Sequence, residues 1–338
     1  AYLMLKTTLL TIGKLAIAAA LIKWLIGSGQ LDFSQLKLFQ QDLWLTAATL
    51  SYFVFCIGFL GTWRWKTLLQ GAGYVIAWKR AVTLQLTGLF FSSVMPGAVG
   101  GDIIKVAYVI RDNPGKSKAQ AMMTALLDRI VGLAGLFLVC WVMIILNFGT
   151  VSEIRGFWPI LGMISALSAG FIVFFTAALY HYKGNDPFLK IFKLPIPGIH
   201  FFEKLYSAVR VYRYARKSIV ISIGISLVTQ FACLLLFYYI ASKVMGYVPN
   251  FGKVAVVFPI GMTSTAIPLM PGGLGVGHVA FDQLFQMVGL NHGANAFNLM
   301  ALSQLFLNLS GAIPYLSLKK IPLATIEEEA KEANAQEI

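Results

Sequence analysis

Four charged residues stand inside apolar stretches of this sequence, where ionised side chains are rare. Asp102 and Lys105 follow a glycine pair, and their spacing would place both on one face of a helix, where they could pair. Asp128 and Arg129 are adjacent in a third apolar stretch, so they would point in different directions on a helix. Each of these two needs a partner elsewhere, such as Asp102 or Lys105. Charges placed in this way line a bundle interior or a water-filled cavity, where they could hold a polar group.

Each of these residues also has a purely structural interpretation. Asp102 could cap a helix N-terminus, where the helix dipole favours a carboxylate, and capping does not exclude that it faces a cavity. Asp128 and Arg129 could belong to an ion network that serves only folding. Under that interpretation, removal of one member impairs folding, whereas a functional role predicts that activity alone is lost.

Two further residues are candidates for binding an anionic group. Arg64 lies in Trp63-Arg64-Trp65-Lys66, a pattern typical of an aromatic and basic belt at the membrane interface. Binding of a head-group phosphate is the alternative function for Arg64. His278 could donate to an anionic group or shuttle a proton, and a buried, locally hydrogen-bonded histidine is the alternative.

Two nearly identical glycine-rich segments break the apolar stretches, and they begin 175 residues apart, at Met95 and Met270. Proline lacks a backbone donor and glycine tolerates any backbone conformation, so neither belongs inside a hydrophobic helix without a reason. Helices broken at matching places in two halves are the best sequence indication of a transporter binding site. The residues of the two breaks are Pro96, Gly97, Gly100, Gly101, Pro271, Gly272, Gly273 and Gly275.

The composition is that of a membrane protein. Of the 338 residues, 58% are hydrophobic and 12% are charged, and the mean hydropathy is +0.74. Soluble proteins carry about twice that charged fraction. A net charge of +13 is therefore assigned to cytoplasmic loops and contact with anionic lipid, and no nucleic acid partner is expected.

Six apolar runs are long enough to cross a bilayer, which takes roughly 20 residues each. They are predicted at 5–26, 43–62, 119–147, 158–180, 218–241 and 296–318. The broken segments, 81–110 and 253–290, come before the third and the sixth run. Each half of a broken segment is too short to cross alone and is predicted to be one arm of a re-entrant pair.

The distribution of Lys and Arg among the loops predicts the orientation. The rich loops are 63–80 and 105–118 with four each and 181–217 with eight, whereas 27–42, 148–157 and 242–252 have one each. Because positive loops stay in the cytoplasm, both termini are predicted to be cytoplasmic, in a bacterial-type inner membrane. The two broken segments then enter from opposite sides, so that the repeats 5–147 and 158–318 have inverted topology. We therefore expect an all-α polytopic membrane protein with six full transmembrane helices and two re-entrant helix pairs.

The remaining segments have simpler interpretations. Residues 1–320 are expected to form one transmembrane domain, followed by a solvated cytoplasmic tail at 321–338. In the loop 181–217, residues 201–217 suit either an amphipathic helix on the cytoplasmic leaflet or a basic start to the fifth span. Three cysteines are expected to be small core residues without a disulfide or a metal: Cys56, Cys140 and Cys233.

No enzymatic motif is present in its required context. Gly115-Lys116-Ser117 lacks the first glycine and the strand of a P-loop, and Gly275-x-Gly277 lacks the βαβ context of a dinucleotide site. No nucleophile has an evident base and orienting partner. The sequence therefore predicts no catalytic residue, no metal site and no cofactor.

Three motifs occur in order: Phe90-Phe91-x4-Pro96-Gly97-x-Val99-Gly100-Gly101-Asp102, Leu126-Leu127-Asp128-Arg129-x2-Gly132, and Pro271-Gly272-Gly273-Leu274-Gly275. Together they resemble the flippase-like transmembrane domain of lysylphosphatidylglycerol synthase, over nearly the whole chain. The resemblance implies an inverted-repeat membrane fold that moves lipids between leaflets, and stand-alone relatives are associated with hopanoids and glycolipid precursors. It also implies functional positions at Asp102, Asp128 and Arg129.

The sequence departs from the full synthase in two places. About 20 residues follow the last predicted span, so we expect a stand-alone member without the domain that transfers lysine from charged tRNA. The family often has a charged residue after Gly275-Val276, where this chain has Gly277-His278. This leaves open how the second half recognises a substrate.

The expected function is that of a lipid translocase for a phospholipid, an aminoacyl-phospholipid or another polar lipid. Lys105, Arg129 and Arg64 would neutralise the head group, while Asp102 and Asp128 would hold those cations or recognise an amino group. The alternative is a non-transporting protein that docks or regulates a lipid-modifying enzyme or glycosyltransferase through the loop 181–217. The expected partners are membrane lipids and such an enzyme, and the oligomeric state is left open.

Overall fold

The computed structural model describes residues 33–94, 100–153, 156–182, 186, 199–265 and 275–318. All regular secondary structure within these residues is helical. Several predicted features lie outside them: the span 5–26, the tail 321–338, and the break residues Pro96, Gly97, Pro271, Gly272 and Gly273.

The first half begins with a 3-10 turn, Phe33–Leu36, and continues with α1 (Lys37–Gln41), α2 (Leu43–Gly71, π-helical at Tyr52–Leu60), α3 (Trp78–Val94), α4 (Gly100–Asp112), α5 (Lys118–Leu146) and α6 (Phe148–Val151). The second half contains α7 (Phe157–Leu179), α8 (Ile199–Arg210), α9 (Arg216–Met245), α10 (Phe251–Ser264), α11 (Val276–Met287), α12 (Gly293–Leu309) and α13 (Ala312–Leu316).

Five of the described helical segments are long and apolar enough to cross a membrane: α2, α5, α7, α9, and α12 together with α13. They coincide with five of the six predicted spans. Between 22% and 50% of the most apolar window of each is buried, so much of the apolar surface faces outward, as lipid-facing helices require. Together with this apolar exterior, the helices define a multi-pass membrane protein.

Side-chain caps fix the starts of three helices, α2, α5 and α10. The carboxylate of Asp42 accepts from the backbone N–H of Leu45, and Ser117 accepts in the same way from Gln120. Asn250 caps α10 by accepting from the backbone N–H of Lys253. Each cap satisfies one of the backbone donors that a helix start leaves without an intrahelical partner.

The second span extends further than the sequence predicted. We expected it to end at residue 62, with Arg64 and Lys66 in a cytoplasmic loop, but α2 continues to Gly71. Arg64 is therefore inside the helix, and its side chain is only 15% exposed. The predicted span ended before this arginine because hydropathy treats every charge as unfavourable in a membrane helix. It takes no account of a carboxylate on another helix that pairs with the guanidinium.

The short helices pack as two pairs, α3 with α4 and α10 with α11. With 17, 13, 14 and 12 residues, none reaches the roughly 30 Å of a bilayer core at 1.5 Å per residue. Glycine permits the close approach within the first pair. A Cβ atom on Gly101 would lie 1.9 Å from the carbonyl oxygen of Gly88 and 2.2 Å from the hydroxyl of Ser92.

This close contact predicts a large effect of one methyl group. Gly101→Ala should force α3 and α4 apart and lower the free energy of unfolding by about 1–3 kcal/mol, as overpacking does elsewhere. Gly170→Ala is the matched control, because nothing lies within 4 Å of the added Cβ on that lipid-facing helix. Thermal unfolding in detergent measures both variants, and equal stability of the two would contradict the packing argument.

The loop 181–217 contains a helix that packs against the bundle. Helix α8 contacts α5 and α7, and it buries Leu205 and Val209, with Tyr212 buried in the turn that follows. The buried carboxylate of Asp186 accepts from Arg210 at 2.9 Å and from the Tyr206 hydroxyl at 3.0 Å. Both sequence interpretations hold in part, because the amphipathic helix is present and Arg216 begins α9.

Candidate functional site

Arg64 and Asp128 form a two-point ion pair between α2 and α5. The Nε of Arg64 lies 2.7 Å from one carboxylate oxygen of Asp128, and Nη2 lies 3.0 Å from the other. Nη1 donates to the hydroxyl of Ser226 on α9 at 3.1 Å. This arrangement joins helices from both halves of the chain and is the strong, geometrically specific form of a guanidinium–carboxylate contact.

Two glycines of α5 lie beside this pair. A Cβ on Gly132 would lie 3.5 Å from Nη1 of Arg64, in ordinary contact, so the guanidinium rests against the bare backbone. A Cβ on Gly135 would lie 2.6 Å from the Cβ of Ser226. The absence of a side chain at Gly135 therefore lets α9 approach closely enough for Ser226 to reach Arg64.

Asp102 accepts from two cations at the start of α4. One carboxylate oxygen lies 3.0 Å from Nζ of Lys105, and the other accepts from Nε of Arg129. Both partners match the expectation from the sequence. Lys105 was expected on the same helix face as Asp102, and Asp102 was one of the residues named as a partner for Arg129. The position also suits a carboxylate because the helix N-terminus carries a partial positive charge.

Lys105 is held from three sides. Besides Asp102, its ammonium donates to Oε1 of Gln85 at 3.3 Å and lies 4.7 Å from the centre of the Trp65 ring. Its stem fills the space over Gly88, where a Cβ would lie 2.6 Å from Cδ of the lysine. Buried in this way, Lys105 connects α4 with α2 and α3 and stabilises the packing as much as it supplies charge.

The two ion-paired groups meet at adjacent residues of α5 and together make one charge cluster: Arg64, Asp102, Lys105, Asp128 and Arg129. Three positive and two negative charges leave a net charge of +1 between membrane helices. Arg129 has the most exposed side chain of the five, at 39%, against 7% to 15% for the others. An anionic group entering from a cavity or from the lipid would therefore meet Arg129 first.

His278, in the second half of the chain, is not part of the charge cluster and has its own hydrogen bonds. It is the third residue of α11, as Asp102 is the third residue of α4. Its Nδ1 accepts from the backbone N–H of Gly275 at 3.3 Å, so the proton resides on Nε2, which donates to Asn298 at 3.3 Å. The side chain is 4% exposed and caps its own helix, which agrees with the structural interpretation of this histidine.

The charge cluster lies apart from a cavity at the other side of α12's contacts, near the first described helices. A cavity of about 330 Å³ lies between the first described helices and α12, and it contains none of the five charges. Its lining is mostly apolar and consists of Leu36, Phe39, Gln40, Thr46, Thr49, Leu50, Ser303, Phe306 and Leu307. Among the described residues, no three His, Cys, Asp or Glu side chains converge where a metal could bind.

The partner of Asp128 is the contact that sequence reasoning missed. Arg64 and Asp128 are 64 positions apart, and the surrounding tryptophans made Arg64 look like an interface residue. A usable signal was present, because Leu68 and Leu69 continue the apolar pattern beyond Lys66. Gln85 and Ser226 were also missed, because single neutral polar residues carry no pattern of their own.

The fold and the cluster define a polytopic helical membrane protein with ion-paired charges between its membrane helices. More particularly, the chain belongs to the family described as the lysylphosphatidylglycerol synthase TM region, whose model matches residues 11–310. A relative in Pyrococcus horikoshii, UPF0104 membrane protein PH1989, is 26% identical over 262 residues, covering 71% of this chain and 77% of that protein. That description names a membrane protein and no activity. No solved structure matches the chain.

Proposed function

We propose that this protein moves a phosphate-bearing lipid between the leaflets of a membrane, with Arg129 as the first contact for the head group. The observation that carries the proposal is the charge cluster, with its net charge of +1 and one partly exposed arginine. Charges inside a membrane domain are costly and are retained mainly where they line a substrate path. Arginine is suited to phosphate because its planar donors match two phosphate oxygens at once.

We further propose an inverted repeat in which the two short helix pairs are re-entrant. The packing of the helices supports a two-fold arrangement. In the first half α2 contacts α5 and α4 contacts α5, and in the second half α9 contacts α12 and α11 contacts α12. The contact of α5 with α10 likewise corresponds to that of α12 with α3. The extensive packing of α5 on α9 departs from this symmetry, because α12 has no comparable contact with α2 in the described residues.

One side-chain contact supports the repeat at the level of single residues. Lys105 fills the space over Gly88, and Phe281 fills the space over Gly261, where a Cβ would lie 2.5 Å from the ring. The two glycines are 173 positions apart, as are the starts of α3 and α10 at residues 78 and 251. The two fillers are 176 positions apart, as are the starts of α4 and α11 at residues 100 and 276. We take this matched spacing as support for two copies of one helix pair, the first packed around a charged side chain and the second around an aromatic ring.

The positive charges that remain outside the spans support the orientation predicted from the sequence. With Arg64 and Lys66 now inside α2, Lys79 and Arg80 in the first turn of α3 are the positive charges that remain on this side. We therefore propose that both termini face the cytoplasm of a bacterial-type inner membrane, with six spans in residues 1–320.

The described part of the loop 181–217 favours transport over docking. The apolar side of α8 packs on the protein's own helices, so that face is already occupied. A docking platform for a lipid-modifying enzyme would need another surface.

Lipid movement by the purified protein tests the proposal. In liposomes that contain acyl-labelled anionic phospholipid, the protein should make the inner-leaflet label accessible to a membrane-impermeant quencher much faster than in protein-free vesicles. Vesicles with an unrelated helical membrane protein control for leakage and packing defects. If monodisperse, reconstituted protein moves no anionic or zwitterionic phospholipid, the translocase proposal is wrong.

A further inference from the structure

The hydrogen bonds of His278 at the start of α11 require a neutral imidazole. Nδ1 accepts from the backbone N–H of Gly275 at 3.3 Å, and Nε2 donates to Oδ1 of Asn298 at 3.3 Å. Nδ2 of Asn298 donates in turn to Oε1 of Gln35 at 3.1 Å, so a residue of the first half is connected as well. Because Nδ1 needs a free lone pair to accept, a protonated ring cannot make this set of bonds.

Protonation of His278 removes one of these bonds and keeps the other. An imidazolium ion donates from both nitrogens, so Nε2 still donates to Asn298, whereas Nδ1 meets the N–H of Gly275 as a second donor. The positive end of the helix dipole at the start of α11 opposes the cation as well. A half-buried backbone donor that loses its acceptor in this way destabilises the helix start.

The packing around His278 holds its ring in place. Phe297 contacts the imidazole edge-on with ring centres 5.0 Å apart, and a Cβ on the neighbouring Gly277 would lie 2.3 Å from the Phe297 ring. Because the imidazole is confined by these contacts, the repulsion on protonation acts on the backbone of Gly275. This glycine is the first described residue after the second glycine-rich break.

Among the described residues, no carboxylate forms an ion pair with His278 that would compensate its protonation. Helix α11 packs against α10 and α12, and α12 contains no titratable side chain. Lys253 of α10 lies beside the loop that follows α11, at the opposite end of that helix. On α11 itself, Asp282 accepts from a glutamine one turn further along at 2.8 Å. The preceding residues 266–274 contain no titratable side chain.

We propose that His278 is a pH-sensitive cap of α11, which holds the backbone of Gly275 when the imidazole is neutral and releases it when the imidazole takes a proton. Histidine is the side chain whose charge ordinarily changes between pH 5 and 8. Asp102, the third residue of α4 as His278 is of α11, is a carboxylate and is already charged in this range. The cap itself assumes nothing about transport, whereas its effect on lipid movement rests on the proposed function.

Hydrogen exchange at the backbone N–H of Gly275 measures the cap directly. Exchange of the purified protein in micelles is followed by mass spectrometry with single-residue resolution, and each rate is compared with the intrinsic rate at the same pH. From about pH 8 to about pH 5 the protection of Gly275 should fall about fivefold, the value of one net hydrogen bond. The interior amides of α12 should keep their protection, because the bond from Nε2 to Asn298 remains.

Three variants separate protonation of His278 from other effects of pH. His278→Gln keeps an acceptor that does not titrate, since a glutamine at the third helix position can reach back to the N–H before the helix. Its Gly275 amide should therefore be protected equally at both pH values. His278→Ala should be as weakly protected at pH 8 as the wild type is at pH 5. His292→Gln is the matched control, because this exposed histidine at the start of α12 makes no side-chain cap, and it should keep the wild-type pH dependence.

Two results would overturn the pH-sensitive cap. One is equal protection of Gly275 at both pH values in the wild type, and the other is a pH dependence that persists in both His278→Gln and His278→Ala. Because exchange is measured without transport, either result leaves the lipid-movement test of the proposed function intact. Conversely, a pH-sensitive cap in a protein that moves no lipid would keep the cap and reject the translocase.

The effect of the cap on transport has its own measurement. The ratio of the lipid-movement rates in liposomes at pH 5 and pH 8 should lie closer to 1 in His278→Gln than in the wild type. Equal ratios in the two proteins would reject a role of the cap in lipid movement, and the exchange measurement would still decide whether the cap responds to pH.

Discussion

Asp128→Asn should lower the free energy of unfolding by about 3–5 kcal/mol, the largest loss expected from any single substitution in the charge cluster. Asparagine has the same shape as aspartate but no charge. The substitution therefore leaves the guanidinium of Arg64, 15% exposed and bonded at two points to Asp128, without compensation between membrane helices. Unfolding of the purified protein in mixed micelles, followed by tryptophan fluorescence, measures the loss.

The chain contains a matched control for this effect. Arg80 and Asp112 form a pair with nearly the same two-point geometry, at 2.7 and 3.1 Å, but their side chains are 26% and 29% exposed. Asp112→Asn should therefore cost less than about 1 kcal/mol, as exposed pairs do. Equal losses in Asp112→Asn and Asp128→Asn would show that burial of the Arg64–Asp128 pair has no energetic role.

Removal of both partners provides a second control. In Arg64→Met with Asp128→Leu no charge is left without a partner, so the double variant should be more stable than Asp128→Asn alone. If the double variant is instead less stable than both Asp128→Asn and Asp112→Asn, the attraction within the ion pair determines stability, and the unpaired charge of Arg64 does not. The result also separates folding from transport, because a stable double variant can be reconstituted and tested for lipid movement.

The extent to which sequence predicted the cluster depended on the distance between partners along the chain. Asp102 and Lys105 are three residues apart on one helix, so their pairing follows from helix geometry alone. Arg129 was recognised as a charge in need of a partner, and Asp102 was one of the two residues named as examples of such a partner. The pairing of Arg64 with Asp128 depends on how α2 packs against α5, which no local pattern encodes.

In the second half of the chain, the sequence predicted the position of a residue but not its contacts. The motif predicted that His278 takes the place of Asp102, and both residues are indeed the third of their helices. Because Gly275 and Asn298 engage both ring nitrogens, the histidine serves its own helix. Gln304 and Asn308 were not singled out in the sequence, although Gln304 donates to Asn308 and Asn308 donates to Ser93 on α3.

Arg129→Gln should reduce lipid movement by roughly tenfold to a hundredfold, the range expected for one lost hydrogen bond between a charged donor and phosphate. Stability should change little, in contrast to Asp128→Asn. The side chain of Arg129 is 39% exposed, and Lys105, which lies 3.0 Å from Asp102, still compensates that carboxylate when Arg129 is replaced. Lipid movement between the leaflets of liposomes and unfolding in micelles are measured on the same preparation. Together they separate a loss of transport from a loss of stability.

Two variants define what Arg129 contributes. Arg111→Gln is the matched control, because Arg111 is 35% exposed and lies 3.7 Å from a carboxylate oxygen of Asp112, away from the charge cluster, and it should move lipid at the wild-type rate. Arg129→Lys keeps the charge but loses the planar donors, so an intermediate rate is expected if two-point contact with phosphate matters. A wild-type rate in Arg129→Gln would remove this arginine from the lipid path. A stability loss as large as that of Asp128→Asn would instead assign Arg129 to the folding of the cluster, as a purely structural ion network requires.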